Sequence, residues 1–339
     1  MNKHQIEQTS VSRILTSEGA AELLASGWRG ADLHVHTLHS YDVIPTKLVD
    51  PLALYERARQ LGMAHVVFTD HDTMAAYDEI GWTREGLVPA VEVKILDPRR
   101  VGHTVHINVY ELDRRQFREI RAIARAAQDI EMLAGYLRSE RLPFIFNHPF
   151  WHEPGENLSV RAVVGIAELF PVLEYNMGRI GRLNAQALRL ADMKAKGVAA
   201  GTDSHIGDIA RAFTLARGAT FREFFAEVAS RQAYLSPADL NLPRLKEETA
   251  VRIRNLFDKR GWLRAKEALT IDTGNALLDG IVRRVARGST RRSGLARWIL
   301  RKTIETLSSS GIPGSFYLRS QRVMAERIGR LMESLETAG

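Results

Sequence analysis

The sequence predicts an α/β protein built on a parallel sheet, closed or doubly wound, followed by a basic and mainly helical region. Three observations predict it. Short apolar runs alternate with stretches of helical periodicity over roughly the first two thirds of the chain. Four of the apolar runs finish in His, Asp or Asn side chains, and in parallel α/β folds functional groups gather at the C-terminal ends of strands. Past Pro243 the strand-like runs stop and basic charge accumulates.

Residues 1–30 read as a lead-in with a helix from Ser17 to Ser26, Ser17 being its N-cap and Gly27 its stop. DLHVHT forms the first strand of the body. LVDPLALYERARQLGM is helical, with Pro51 near its start, and AHVVFTDHD is a buried strand with a polar end. LVPAVEVKIL and HTVHINVYEL follow as strands, and one long helix is expected from Arg114 to Arg138. LPFIFNHPF, FPVLEYN, the helix through NAQALRLADMKAKG, and VAAGTDSH repeat the alternation. FREFFAEVASRQ is a further helix. A boundary is placed between Pro237 and Pro243, which gives a body over 31–240 and a basic helical region over 241–339.

Composition narrows the chemistry. The 339 residues contain no cysteine, so disulfides and thiolate metal sites are excluded and any metal must sit among nitrogen and oxygen donors. The N-terminus lacks the apolar core of a signal peptide and no stretch reaches the roughly 18 apolar residues of a membrane span, so a cytoplasmic location is expected. Residues 241–339 hold 20 Lys/Arg against 10 Asp/Glu, while the first 240 hold 27 against 30. The net charge of +7 therefore belongs to the C-terminal region.

The stretch ADLHVHTLHSYD places His34, His36, His39 and Asp42 close together. On a strand, His34 and His36 share a face, an opening half-site for a divalent ion. It is answered by TDHD (69–72), VEV (91–93), HTVHI (103–107), NHP (147–149) and TDSH (202–205). Glu92 lies in an apolar run that would otherwise bury an unpaired carboxylate.

DLHVHT, TDHD, VPAVEV, HINVY, NHPF and GTDSH, in that order over about residues 30–220, resemble the successive motifs of the polymerase and histidinol phosphatase (PHP) family of metal-dependent phosphoesterases. The resemblance implies a distorted (β/α)7 TIM-like barrel with two or three divalent ions (zinc, manganese or iron) at its rim. It implies that His34, His36 and Asp203 hold the first ion and that Glu92 bridges the first and second. His148 would join the second with a histidine of HTVHI, His106 in preference to His103. Asp42, His71 and His205 would hold the third.

His39 reads as a bystander. Asp70 is expected to orient an imbedded imidazole and so to serve the chemistry. Asp72 reads as a helix N-cap, and Asn147 and Asn176 as either substrate contacts or partners of loop backbone. The implied reaction is hydrolysis of a phosphomonoester, nucleotide or short oligonucleotide by a hydroxide bridging two ions, with Glu92 central. Lys94, Arg179, Arg182 and Arg211 are candidates to clamp the phosphate, each with the alternative of a solvated surface charge. Between Arg283 and Lys302 stand eight basic residues and no acid, with Trp298 among the interleaved apolar ones. That segment reads as a grip for nucleic acid, as a contact for an anionic membrane, or as a helical unit packed on the barrel or on a second copy. The alternative to an enzyme is a non-catalytic barrel that binds nucleic acid, membrane or a partner through this region.

Overall fold

The structure is a computed structural model and describes residues 6–8, 13–153, 155–257 and 294–337. Two short strands, β1 (Ile6–Gln8) and β2 (Arg13–Leu15), precede helix α1 (Ser17–Ala25). The lead-in thus carries strands the sequence did not announce. Thr16 rather than Ser17 caps α1, its hydroxyl accepting from the Gly19 N–H at 3.2 Å.

The body follows with β3 (Arg29–Asp32), α2 (Pro51–Gln60), β4 (Met63–Phe68), α3 (Ala75–Ile80), β5 (Leu87–Leu96) and β6 (Thr104–Tyr110). Asp50 caps α2 through Leu52 and Ala53, with Pro51 at its first position. The cap predicted for Asp72 is not formed. Met74 opens α3 without a side-chain cap, and Asp72, at φ +53°, faces Arg125 at 3.3 Å. The long helix expected from Arg114 to Arg138 is two: α4 (Arg114–Ala122) and α5 (Ile130–Ser139). A wide turn over Ile123–Ala127 ends at Gln128 in the left-handed region, and Asp129 caps the second helix.

The body closes with β7 (Phe144–Phe146), α6 (Val160–Ile166), β8 (Val172–Asn176), α7 (Gly181–Met193), β9 (Gly197–Gly201), β10 (Phe213–Ala216), α8 (Phe221–Ala229) and β11 (Tyr234–Ser236). Eleven strands make one sheet in the order β1-β2-β11-β10-β3-β4-β5-β6-β7-β8-β9. The sheet is mixed, not parallel as expected. β3–β4–β5 and β7–β8–β9 pair in parallel, but β6 runs antiparallel to both its neighbours, and β10 antiparallel to β3 and β11. The cause is local: only seven residues separate β5 from β6, enough for a hairpin and too few for a crossover helix. The sheet curls so that β9 lies by β10, where the Thr214 hydroxyl accepts from Ala200 N–H at 2.8 Å.

Small inward side chains (Ala31, Val67, Ala90, Val172, Ala199) leave room inside the curl for the aromatic face of α8, Phe221, Phe224 and Phe225. His65, near the start of β4, meets Phe221 and Phe224 edge-on at 5.5 and 5.1 Å. Burial, with Arg29 and Arg59 nearby, pushes its imidazole down to about 4. Being neutral when folded and protonated near 6.5 when unfolded, it withdraws stability as pH falls from 6.5 toward 4. Unfolding in urea at pH 7.5 and at pH 5 should show His65→Leu losing about 2 kcal/mol less than the parent over that interval. Equal losses would remove His65 from the account.

Three further helices complete the described chain: α9 (Leu242–Phe257), α10 (Gly294–Ser309) and α11 (Ile312–Thr337). Buried Leu318, Ala325, Ile328 and Met332 seat α11 against α6 and α7, and Arg189 pairs with Glu333 and Glu336. Of the basic stretch 283–302, residues 283–293 lie outside the described residues, and Trp298 on α10 is 57% exposed. Among the described residues no helix is long and apolar enough to cross a membrane.

Candidate metal centre

Strand pairing continues past the strands themselves and carries the polar segments to one rim. His34 and His36 lie just beyond β3, not within it. There Val35 bridges Ser204 in parallel and His36 N–H donates to Ser204 O at 3.1 Å, so the DLHVHT and GTDSH segments run side by side. Likewise His71 bridges Glu92, and Asn147 N–H donates to His106 O. Two buried carboxylates fasten these loops. Asp32 accepts from Thr202 N–H and Oγ1, at 2.9 and 2.7 Å, and from Ala210 N–H at 2.9 Å. Asp70 accepts from Thr37 N–H and Oγ1 at 2.6 and 2.7 Å. Gly201 has to be glycine, since a Cβ there would meet His34 Cβ at 2.7 Å.

Glu92, fully buried, is the hub. Its Oε2 stands 3.1 Å from His34 Nε2, 3.3 Å from His36 Nε2 and 3.1 Å from His71 Nδ1. Its Oε1 stands 2.9 Å from His106 Nδ1 and 3.4 Å from His148 Nε2. Asp203 Oδ1 lies 3.1 and 3.4 Å from the Nε2 atoms of His36 and His34. Asp42 Oδ2 lies 3.2 Å from His71 Nε2 and 2.8 Å from His205 Nε2. Donor atoms of His34–His36–Glu92, of His71–Glu92–His106 and of His36–Asp42–His71–His205 each fall within 4.8 Å of one another. All nine residues named from the sequence as ligands thus meet in one pocket. His106, not His103, is the histidine of HTVHI that reaches it; His103 is buried elsewhere.

Burial opposes ionisation of Glu92, yet the charges of His71, His34 and His106 hold its carboxyl well below the usual range. Burial likewise works against Asp203 and is outweighed by His34, His36 and His205. His148 is pushed down to about 4, chiefly by burial. Both His148 and Asp203 sit at positive φ, +26° and +53°, a strain that clusters where geometry serves a function.

Does this donor set fit divalent ions? His34 and His36 present Nε2 atoms 3.1 Å apart toward the same two carboxylates. The buried Nδ1 of His71 has no hydrogen-bond partner among the described residues despite lying 3.1 Å from Glu92. Imidazole nitrogens and carboxylate oxygens converging this closely are what a cation accommodates, and imidazole with carboxylate is a suitable set for zinc, manganese or iron. The residues fit.

In the side chains it gathers at its rim, the chain resembles the PHP family. No protein-family profile and no curated protein matches it. Among solved structures it is similar to PsfC from Pseudomonas syringae PB-5123, at 19% identity and a TM-score of 0.44, over 62% of this chain and 92% of that one. It is also similar to a "putative metal-dependent phosphoesterase" from Bifidobacterium adolescentis ATCC 15703 (21% identity, TM-score 0.36, 52% and 88% covered). An amidohydrolase from Chromobacterium violaceum with bound sulfate and no metal is a third (14%, 0.37, 52% and 87%).

Other expectations are corrected. Among the described residues Asp70 bonds no imidazole nitrogen: both its oxygens hold Thr37, so it shapes the loop after His36. Arg211, a candidate to clamp the phosphate, is half exposed and bound to Asp208 at 2.7 Å. Arg182 pairs with Glu326 on α11. Lys94 pairs with Glu153 at 2.5 Å. Arg179 remains by the site, its guanidinium 5.4 Å over the Trp151 ring, which packs on His106 and His148. His39 pairs with Glu79 at the surface. Asn147 and Asn176 serve neither loop backbone alone nor open space: their amides donate to Glu92, and to Glu174 and Asp203.

Two residues escaped the sequence. Glu174 Oε1 takes His34 Nδ1 at 2.6 Å, which turns the Nε2 lone pair inward, and its Oε2 accepts from His148 N–H at 2.8 Å. Glu153 Oε1 stands 3.7 Å from the outer nitrogen of His106. The signal for Glu174 was available, because VLEYN buries a carboxylate as VEV does. Glu174→Gln should weaken metal binding by roughly 10–100-fold while the protein stays folded, as read by metal titration. Unchanged affinity would show that the His34 tautomer does not depend on Glu174.

Proposed function

We propose that the protein is a metal-dependent phosphoesterase that hydrolyses a small phosphate ester. The observation that carries this reading is Glu92, a buried carboxylate ringed by five imidazoles from four separate motifs. His34, His36 and Asp203 would hold one ion, His106 and His148 a second, and Asp42, His71 and His205 a third, with Glu92 between the first two. Ions so held polarise a phosphoryl group and bring the pKa of water from about 15.7 toward 7.

The chain's own groups prepare that chemistry. Glu174 fixes which nitrogen of His34 faces inward, and Asn147 holds Oε1 of Glu92 at 2.8 Å. Asn176 spans Glu174 and Asp203, so these two carboxylates cannot swing independently. Trp151 covers His106 and His148 and keeps bulk water off that side. Arg179 supplies a positive charge at the edge where an anionic ester would enter.

Metal analysis of the full chain coupled to hydrolysis of p-nitrophenyl phosphate tests the reading. Bound metal in near-integer ratio with turnover that a chelator stops is the expected result. Stoichiometric metal without turnover on any phosphate ester would instead favour a barrel that only binds.

A further inference from the structure

The cluster opens on one side into a cleft of about 850 Å³, counting the space open to solvent. Its floor is Asp42, Asp203 and His205. Its far wall does not belong to the barrel. It comes from the C-terminal helices, with Arg244, Leu245 and Arg252 on α9 and Tyr317 on α11.

That wall is held in register with the floor. Tyr175 and Asn184, on β8 and α7, both donate to the Asp239 carboxylate at 2.8 Å, and Leu240 N–H donates to Arg179 O at 2.9 Å. The entry to α9 is therefore tied to the loop that carries Arg179. Arg244 is mostly buried and steadied by Asp208 at 3.0 Å, and Arg252 by Glu248 at 2.8 Å. A guanidinium has five N–H donors and one carboxylate engages two at most, so Arg244, steadied by Asp208, still presents donors to a ligand. Across the cleft, Arg179 has a buried Nε without a hydrogen-bond partner among the described residues and no ion pair there.

We propose that α9 and α11 are the specificity wall of this phosphoesterase, and that Arg244 with Arg179 binds a second acidic group on the substrate. Resting on the function proposed above, this names the substrate class: a compact phosphomonoester that also carries a carboxylate or a second phosphate. The phosphoryl group lies on the floor and the second acid reaches the wall. A charge-assisted pair at such a site is worth about tenfold or more in selectivity.

The test compares two esters that differ in this group alone, 3-phosphoglycerate and glycerol 3-phosphate, on the manganese-loaded full chain. The parent should favour 3-phosphoglycerate in kcat/KM by about tenfold or more. Arg244→Ala should bring that ratio close to one, and Arg244→Lys should recover part of it. A parent ratio near one overturns the proposal whether or not the variants fold. A high ratio that Arg244→Ala leaves intact overturns the assignment to α9. Turnover of neither ester, nor of p-nitrophenyl phosphate, removes the phosphoesterase reading and this one with it, an outcome distinct from turnover without preference.

Discussion

Glu92→Gln should leave a folded protein with almost no activity and less than its full complement of metal. The carboxylate has two equivalent oxygens, and each already faces imidazoles from different segments: His34, His36 and His71 on one, His106 and His148 on the other. An amide keeps the shape but offers one acceptor oxygen, puts an NH2 group in place of the other, and removes a negative charge from between the two proposed ion sites. Removing an outer partner of a ligand commonly costs 10–100-fold, so loss of the shared group should exceed about 100-fold in kcat/KM. Metal content by elemental analysis and turnover on p-nitrophenyl phosphate would be read together. Full occupancy with near-parental rates would dismiss Glu92 as the hub.

The second large effect is on heat stability. Asp42, Glu92 and Asp203 are gathered with six histidines in a largely buried cluster, so an ion held between them would tie together segments from across the chain. An ion present at 1,000 times its dissociation constant contributes about 4 kcal/mol. At about 2.1 cal/mol/K per residue, a chain of 339 residues shifts by roughly 1.4 °C per kcal/mol. Chelation should accordingly lower Tm by about 6 °C for each ion held this tightly, and adding back manganese or zinc should restore it. A Tm indifferent to chelator would argue that the pocket does not hold ions in solution.

The residues of the cluster were readable because their types and spacings are restrictive. His34 and His36 announce themselves by alternation, and Glu92 by being an acid in an apolar run. The same reasoning extended to Glu174 would have found it, since β8 is buried along its whole length. What the sequence hid depended on distant partners. Arg182 meets Glu326 across 144 positions, and Arg179 meets Trp151 only because two loops fold over the same rim. Long flexible side chains choose partners through tertiary structure, so periodicity says nothing of them. The antiparallel course of β6 was hidden for a different reason. An apolar strand looks alike in either direction, and only the short β5–β6 connection fixes it.

Asp32 joins Thr202 and Ala210, 170 and 178 positions downstream, and His36 meets Asp203 across 167. A ribosome must therefore have released Ala210 before the pocket can assemble at all, however early its first histidines emerge. Bringing such remote segments together is the slow part of folding. A nascent chain stalled short of that point would carry loose histidines able to catch ions singly, without the shared carboxylate geometry that makes them a cluster.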